Sequence, residues 1–417
     1  MKASDCDRLQ EDFLRVSNTV GETLASQNPH IVAIAAKWDA VDLVPGLSDL
    51  DYRIICDDLA TAEDWVQIDR VCGENHLQMV REHPEWNRIN EHTPGAGITV
   101  SELFDRRFHN PEYQTWTTWW GADDWLADLK SDMEARKFGA NDEHVHLATF
   151  LRYFSPYVLG IDPPINLGHF KEKYPLHSRC WHYFAPPMLS AACLLARRNL
   201  SGKRAALTWL RQNGHVGTQV DAVLEQVDAH YESLELTNPR KLEELETHLF
   251  AGFNEVWPRL LESVECLEFD RTASPNAIKQ DLEARVTEPF ELLMESVRFA
   301  RIRAGRYYFY LNAPKQFQAD ELLRRELTWI RKLTAPVFAA LGSVVGDAGL
   351  RPMVCLDRLD IVPDSGEQNA LEHVLNMARC GVDDPTLPRL FHQAIERFPN
   401  YYRLLDRAMD AALAKAN

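Results

Sequence analysis

The chain has no Cys-x-x-Cys pair, no apolar run long enough to cross a bilayer and no surplus of positive charge. Each absence removes a class of function. Its eight cysteines, at 6, 56, 72, 180, 193, 266, 355 and 380, follow no metal-binding spacing and read as free thiols of a reducing cytosol. The opening segment, MKASDCDRLQEDFLRV, is charged and amphipathic with no signal-peptide core, so a cytoplasmic location away from membranes is expected. The formal net charge of −17 argues against a protein that tracks a nucleic-acid backbone, and so against a template-dependent polymerase. GxGxxG, P-loop, HExxH and GxSxG motifs are absent, which removes the residues of Rossmann, P-loop ATPase, zincin and α/β-hydrolase chemistry. Gly46-Leu47-Ser48-Asp49-Leu50 is no nucleophile elbow, because no glycine stands two positions after the serine.

What is there is a globular composition, 45% hydrophobic and 26% charged, over 417 residues, enough for two or three domains. Leu9, Phe13, Val16, Val20 and Leu24 predict a helix over 4–26. The run 31–36 predicts a buried strand, and a second strand follows Pro45-Gly46-Leu47-Ser48 through Cys56. Thr61 and the acids after it open a helix over 61–82. The next strand is placed at 86–92, with 97–103 as the alternative, and Thr99-Val100-Ser101-Glu102 fits a capping box opening a helix to about 107. Tyr113, Trp116, Trp119, Trp120 and Trp125 read either as packing between domains or as a substrate-facing wall. From about 140 the pattern is helical. A turn at 199–203 leads into a helix capped by Ser201, and later helices are expected at 216–231, 239–268, 276–303, 318–343, 369–379 and 387–415. The basic and aromatic stretch 303–310 has no assigned role. The fold class is thus α+β: a small mixed sheet near the N-terminus followed by a large all-helical region.

The stretch that carries chemistry is Ser48-Asp49-Leu50-Asp51. Strand side chains alternate, so Asp49 and Asp51 point the same way. Neighbouring carboxylates repel unless a cation lies between them, and Mg²⁺ takes such oxygens together with substrate phosphates. The competing reading is a turn whose aspartates cap the strand end.

An apolar strand, a loop, Ser48-Asp49-Leu50-Asp51 and an apolar continuation together resemble the polymerase-β-like nucleotidyltransferase superfamily. A second, looser likeness spans Met188–Leu210, with Ser201-Gly202-Lys203 and Trp209, then Asp228-Ala229-His230-Tyr231. It is similar to the helical domain of aminoglycoside adenylyltransferases. The resemblance implies a nucleotidyltransferase-like domain over 1–135, a helical substrate and nucleotide-closing domain over 136–235 and a helical extension over 236–417. It also implies Mg²⁺ on Asp49, Asp51 and a third carboxylate. Glu91 is the first choice for that third group and for a general base, with Glu102 and Asp105 as alternatives. Lys203 would reach the triphosphate. The family's Gly-Ser pair after the first strand is missing here; Ala33-Ile34 or Ala35-Ala36 stands in its place, and Ser48 or Lys37 is expected on the phosphate side.

These expectations amount to an Mg²⁺-dependent transfer of a nucleoside monophosphate, AMP from ATP, to a hydroxyl of a small antibiotic-like or sugar-like molecule. Two alternatives stay open: a catalytically silent fold acting as a ligand-binding or regulatory module, and an enzyme that modifies a protein or a tRNA.

Overall fold

The computed structural model describes residues 3–416 apart from 38–41, 44–48, 88, 91, 109, 155–158, 161–175, 219–220, 222–250, 253, 265–267, 286–288 and 315–318. It is an α+β protein with one four-stranded sheet near the N-terminus and helices thereafter. Helix α1 (Ala3–Gln27) leads into β1 (Ile31–Lys37) and β2 (Tyr52–Cys56); α2 (Ala62–Glu82) and β3 (Ala96–Thr99) follow. The short α3 (Val100–Phe104), β4 (Trp116–Gly121) and α4 (Asp124–Ala135) complete this part. The strand order is β3-β2-β1-β4, with β2/β3 parallel and both β1 pairings antiparallel.

Most of the early elements lie where periodicity puts them, and α2 begins with Thr61 and Asp64 capping one another. The strand expected first at 86–92 is not there. Pro84–Trp86 is a 3₁₀ turn that buries Trp86, and the strand is Ala96–Thr99, near the alternative position. Gly97 within it and Gly95 just before it hide it from strand propensity. Gly97 is required because the Trp65 ring lies against it, where any Cβ would collide. Helix α3 ends at Phe104 rather than 107, and the capping box survives as a bond from the Thr99 amide to Glu102 Oε2 (3.0 Å). β4 falls inside the tryptophan-rich segment that pattern reading had left without a strand.

The helical part comprises α5 (Ala140–Phe154), α6 (Leu176–Ala196), α7 (Lys203–Gln212) and α8 (Pro275–Arg285). It continues with α9 (Pro289–Ala300), α10 (Arg303–Asn312), α11 (Ala319–Lys332), α12 (Ala335–Val344), α13 (Pro352–Arg358), α14 (Ser365–Arg379) and α15 (Leu387–Ala416). Among the described residues no helix is long and apolar enough to cross a membrane.

One apolar cluster joins the two ends of the chain. Ile34, Tyr52, Ile54 and Cys56, from one sheet face, share it with Phe13 and Trp65, and with Tyr307, Phe391 and Tyr401 of the late helices. The opposite sheet face, Ala33, Ala35 and Ile55, packs on Tyr113, Trp116 and α4. Helices α5–α8 close around a separate cluster that includes Phe150, Leu207 and Leu282. Burying each large apolar side chain contributes about 1.5–3 kcal/mol, so the first cluster holds α9–α15 against the sheet and α2.

A candidate cleft of paired charges

A cavity of about 610 Å³ opens where β1 ends and β2 begins. Lys37 and Arg53 line it from the sheet, Asp49 and Asp51 from the residues just before β2, Lys203 from the start of α7, and Arg298, Arg303, Arg306 and Glu326 from α9–α11.

Strand register explains the sheet side. Ala36 pairs with Tyr52 and Ala35 with Arg53, so Lys37 stands opposite Asp51, and its amide donates to the Asp51 carbonyl (3.3 Å). Alternation then puts Lys37, Asp51 and Arg53 on one face, above the small Ala33 and Ala35. Glu112, from the turn before β4, completes a closed ring of charge. Arg53 Nη1 donates to Asp51 Oδ1 (2.7 Å) while its Nη2 lies 3.8 Å from Glu112 Oε1. Lys37 Nζ sits 2.6 Å from Glu112 Oε2 and 3.9 Å from Asp51 Oδ2. Each cation therefore serves both acids. Gly95 lets the chain pass close by, since a Cβ there would meet Arg53 Nη1 at 2.9 Å. Burial works against the charge of Asp51, but Arg53, Lys37 and His92 outweigh it and hold its carboxyl well below the usual range. Asp49 faces His92, whose Nε2 lies 3.1 Å from Asp49 Oδ2 while Nδ1 rests on the Thr93 carbonyl (2.8 Å).

Lys203 comes from 150 positions later in the chain. Helix α7 is not capped by Ser201: its N-cap is Gly202, and the capping carboxylate is supplied by Asp42. Asp42 accepts from the Lys203 amide (2.9 Å) and the Arg204 amide (3.0 Å). Any side chain at 202 would collide with it. The docking buries Lys203 almost completely. Burial pushes its ammonium down to about 8, against the pull of Asp42, and Asp49 and Asp51 also act on it.

The structure thus brings together Lys37, Asp49, Asp51 and Lys203. Ser48 and Glu91 lie outside the described residues. Neither alternative third carboxylate lines the cavity. Glu102 is clamped by Arg301 through two bonds of 2.7 Å, and Asp105 is paired with Arg107 (2.7 Å). The carboxylate that does reach the cleft beside Asp51 is Glu112, which sequence reasoning missed. It sits in a short turn begun by Asn110, with no periodicity to mark it. Arg53 was also missed, although its i+2 relation to Asp51 on a strand was a usable signal. The aromatic segment divides: Tyr113 and Trp116 line the cleft, whereas Trp119 packs on Phe13 of α1 (5.9 Å).

The unassigned stretch 303–310 supplies the opposite wall. Arg303 and Arg306 both pair with Glu326 (2.9 Å each), and Arg303 lies between the Phe299 and Trp329 rings (5.0 and 5.2 Å). Arg298 donates to the Tyr113 hydroxyl (2.6 Å) and to the Glu102 carbonyl (2.7 Å).

Among the described residues no three His, Cys, Asp or Glu side chains are grouped as a metal centre. Mg²⁺ is commonly held by one or two carboxylates and completes its shell with water and substrate phosphate. Asp49 and Asp51, both lining one cleft, are a donor set of that kind. Compared with known proteins, the chain matches no family model, no curated protein and no solved structure.

Proposed function

We propose that this cleft binds a nucleoside triphosphate, ATP in the first instance, and transfers its nucleoside monophosphate to a hydroxyl of a small molecule. The observation that carries the reading is the convergence of Asp49 and Asp51 with Lys203, remote in sequence, on one cavity of substrate size. Asp49 and Asp51 hold the Mg²⁺ that accompanies the nucleotide, which would neutralise charge developing on the phosphates. Lys37 and Lys203 bind phosphate oxygens. The acceptor hydroxyl attacks the α-phosphorus, the bond to pyrophosphate breaks, and Glu112 takes the hydroxyl proton. Lys37 links the two events: an arriving phosphate competes with Glu112 for it, and a Glu112 released from its 2.6 Å partner is the stronger base.

A second reading, a nucleotide-binding module without transfer, draws support from the same ring. Asp51 is already held by Arg53, and β3 carries no carboxylate. One experiment separates the two. Purified protein is titrated with ATP, with and without Mg²⁺, following its melting temperature, and then incubated with α-labelled ATP and candidate acceptors. A Mg²⁺-dependent rise that disappears in Asp49→Asn/Asp51→Asn, with label moving to a small molecule, supports transfer. Binding without label transfer favours the module. Label on protein or tRNA redirects the acceptor class. No rise at millimolar nucleotide overturns both.

A further inference from the structure

The helical wall of the cleft holds more buried positive charge than its own acids satisfy. Arg298, Arg301, Arg303 and Arg306 crowd one region of α9–α10. The carboxylates paired with them within 4 Å are Glu102, Glu326 and, 3.7 Å from Arg301, Asp406, with Asp51 and Asp69 acting from farther off. Both Glu102 oxygens are taken by the two Nη atoms of Arg301 at 2.7 Å, which leaves Arg298 3.9 Å from that carboxylate. Glu326 is divided between Arg303 and Arg306. Glu291 and Glu295 also line the cavity, but they are half-buried and exposed, where water screens them.

The donors tell the same story. A guanidinium has five N–H groups. Arg303, 1% exposed, gives one hydrogen bond, from Nη1 to Glu326, and the Nε groups of Arg298 and Arg303 are buried without a hydrogen-bond partner. Arg306 pairs with Glu326 and Tyr310 and reaches the Thr93 carbonyl only at 3.5 Å. Buried donors and charges left short of partners are costly, and Arg298, Arg303 and Arg306 all line the cavity, Arg303 almost fully covered between Phe299 and Trp329.

We propose that this wall is a second anion subsite, which takes a carboxylate or phosphate group of the acceptor while the nucleotide occupies the sheet side. A planar, forked donor array suits either group. The proposal rests on the cleft being the nucleotide site only for naming its ligand the acceptor; the anion site itself does not. It implies an acceptor that carries both a hydroxyl and an anionic group.

Inorganic phosphate and malonate serve as probes, each titrated by calorimetry into free protein and into protein saturated with ATP. The expected result is that at least one probe binds equally well with ATP present. Arg306→Gln should weaken it about tenfold, the equivalent of one charge-assisted hydrogen bond, while ATP affinity is retained. Arg306→Lys keeps the charge but not the fork and should fall between. An unchanged melting temperature of the free variant shows that the fold is intact; Arg298→Lys provides a second substitution should Arg306→Gln not fold. Whether phosphate or malonate binds assigns the group. Loss of probe binding when ATP is present, or binding indifferent to both arginines, overturns the proposal. Probe binding that depends on Arg306 in a protein that binds no ATP leaves the subsite standing and removes the nucleotide reading.

Discussion

Asp42 and Asp69 perform the same task at two helices. Each is buried, each accepts the first amides of a helix from a distant part of the chain, and each is admitted by a glycine whose Cβ would strike it. Asp42 caps α7 beside Gly202; Asp69, in α2, accepts the Gly305 amide of α10 (2.8 Å). Such a cap satisfies amides that a helix leaves orphaned. Their surroundings differ. Asp42 has the ammonium of Lys203 next to it, and it is Lys203 that lines the cleft. Asp69 lies in the core, where Gly73 and Gly305 let α2 and α10 touch backbone to backbone, and burial pushes its carboxyl up to about 8 against the pull of those amides. The same device is scaffold in one place and part of a site in the other.

The largest effect should follow from closing the helix contact. Gly305→Ala drives a methyl into the Asp69 backbone and should cost about 3 kcal/mol in denaturant unfolding. A loss below a few tenths would mean that α2 and α10 can part at little cost. Next in size, Asp69→Ala should cost about 2 kcal/mol with nucleotide affinity unaltered in what remains folded. Asp42→Ala should cost about 1 kcal/mol and also weaken ATP binding, because Lys203 loses its anchor. If the two substitutions behave alike in both assays, the distinction between scaffold and site is wrong.

The same carboxyl also gives a pH dependence. Asp69 has its folded value raised to about 8, above the ordinary carboxylate value of the unfolded chain. Below that ordinary value both states are protonated and the group is silent. Between it and about 8 the folded state holds the extra proton, so stability contributed by Asp69 is lost as pH rises through this window. Asp69→Asn should flatten the wild-type decline measured from pH 5 to 8. A slope that survives the substitution assigns the proton elsewhere.

How much of this was readable beforehand follows from what each signal depends on. Helices α1 and α2 and strand β1 announce themselves by local periodicity and lie within a residue or two of expectation, whereas β2 begins at Tyr52, three residues late, so Asp49 and Asp51 precede the strand rather than lie on it. Strand β3 did not announce itself, because Gly95 and Gly97 are there to admit Arg53 and Trp65, side chains known only from tertiary contact. Asp49, Asp51, Lys37 and Lys203 were readable from residue type and order, and the cavity gathers them. Glu112 was not, for its place depends on Lys37 and Arg53 of neighbouring strands rather than on its own sequence context. Arg303 and Arg306 looked like an unexplained basic stretch until Glu326, Phe299 and Trp329 surrounded them.

The apolar cluster that joins both ends of the chain has a consequence for how the protein is made. The sheet and α1 are translated well before Phe391, Phe398 and Tyr401, which lie in the same apolar cluster as Tyr52 and Ile54. Helices α5–α8 have their own core and can condense meanwhile. The apolar face of the sheet therefore waits uncovered until those later residues are made. Contacts of such long sequence separation form slowly and leave intermediates prone to aggregate. A need for shielding during synthesis follows from the late arrival of α15 in that cluster.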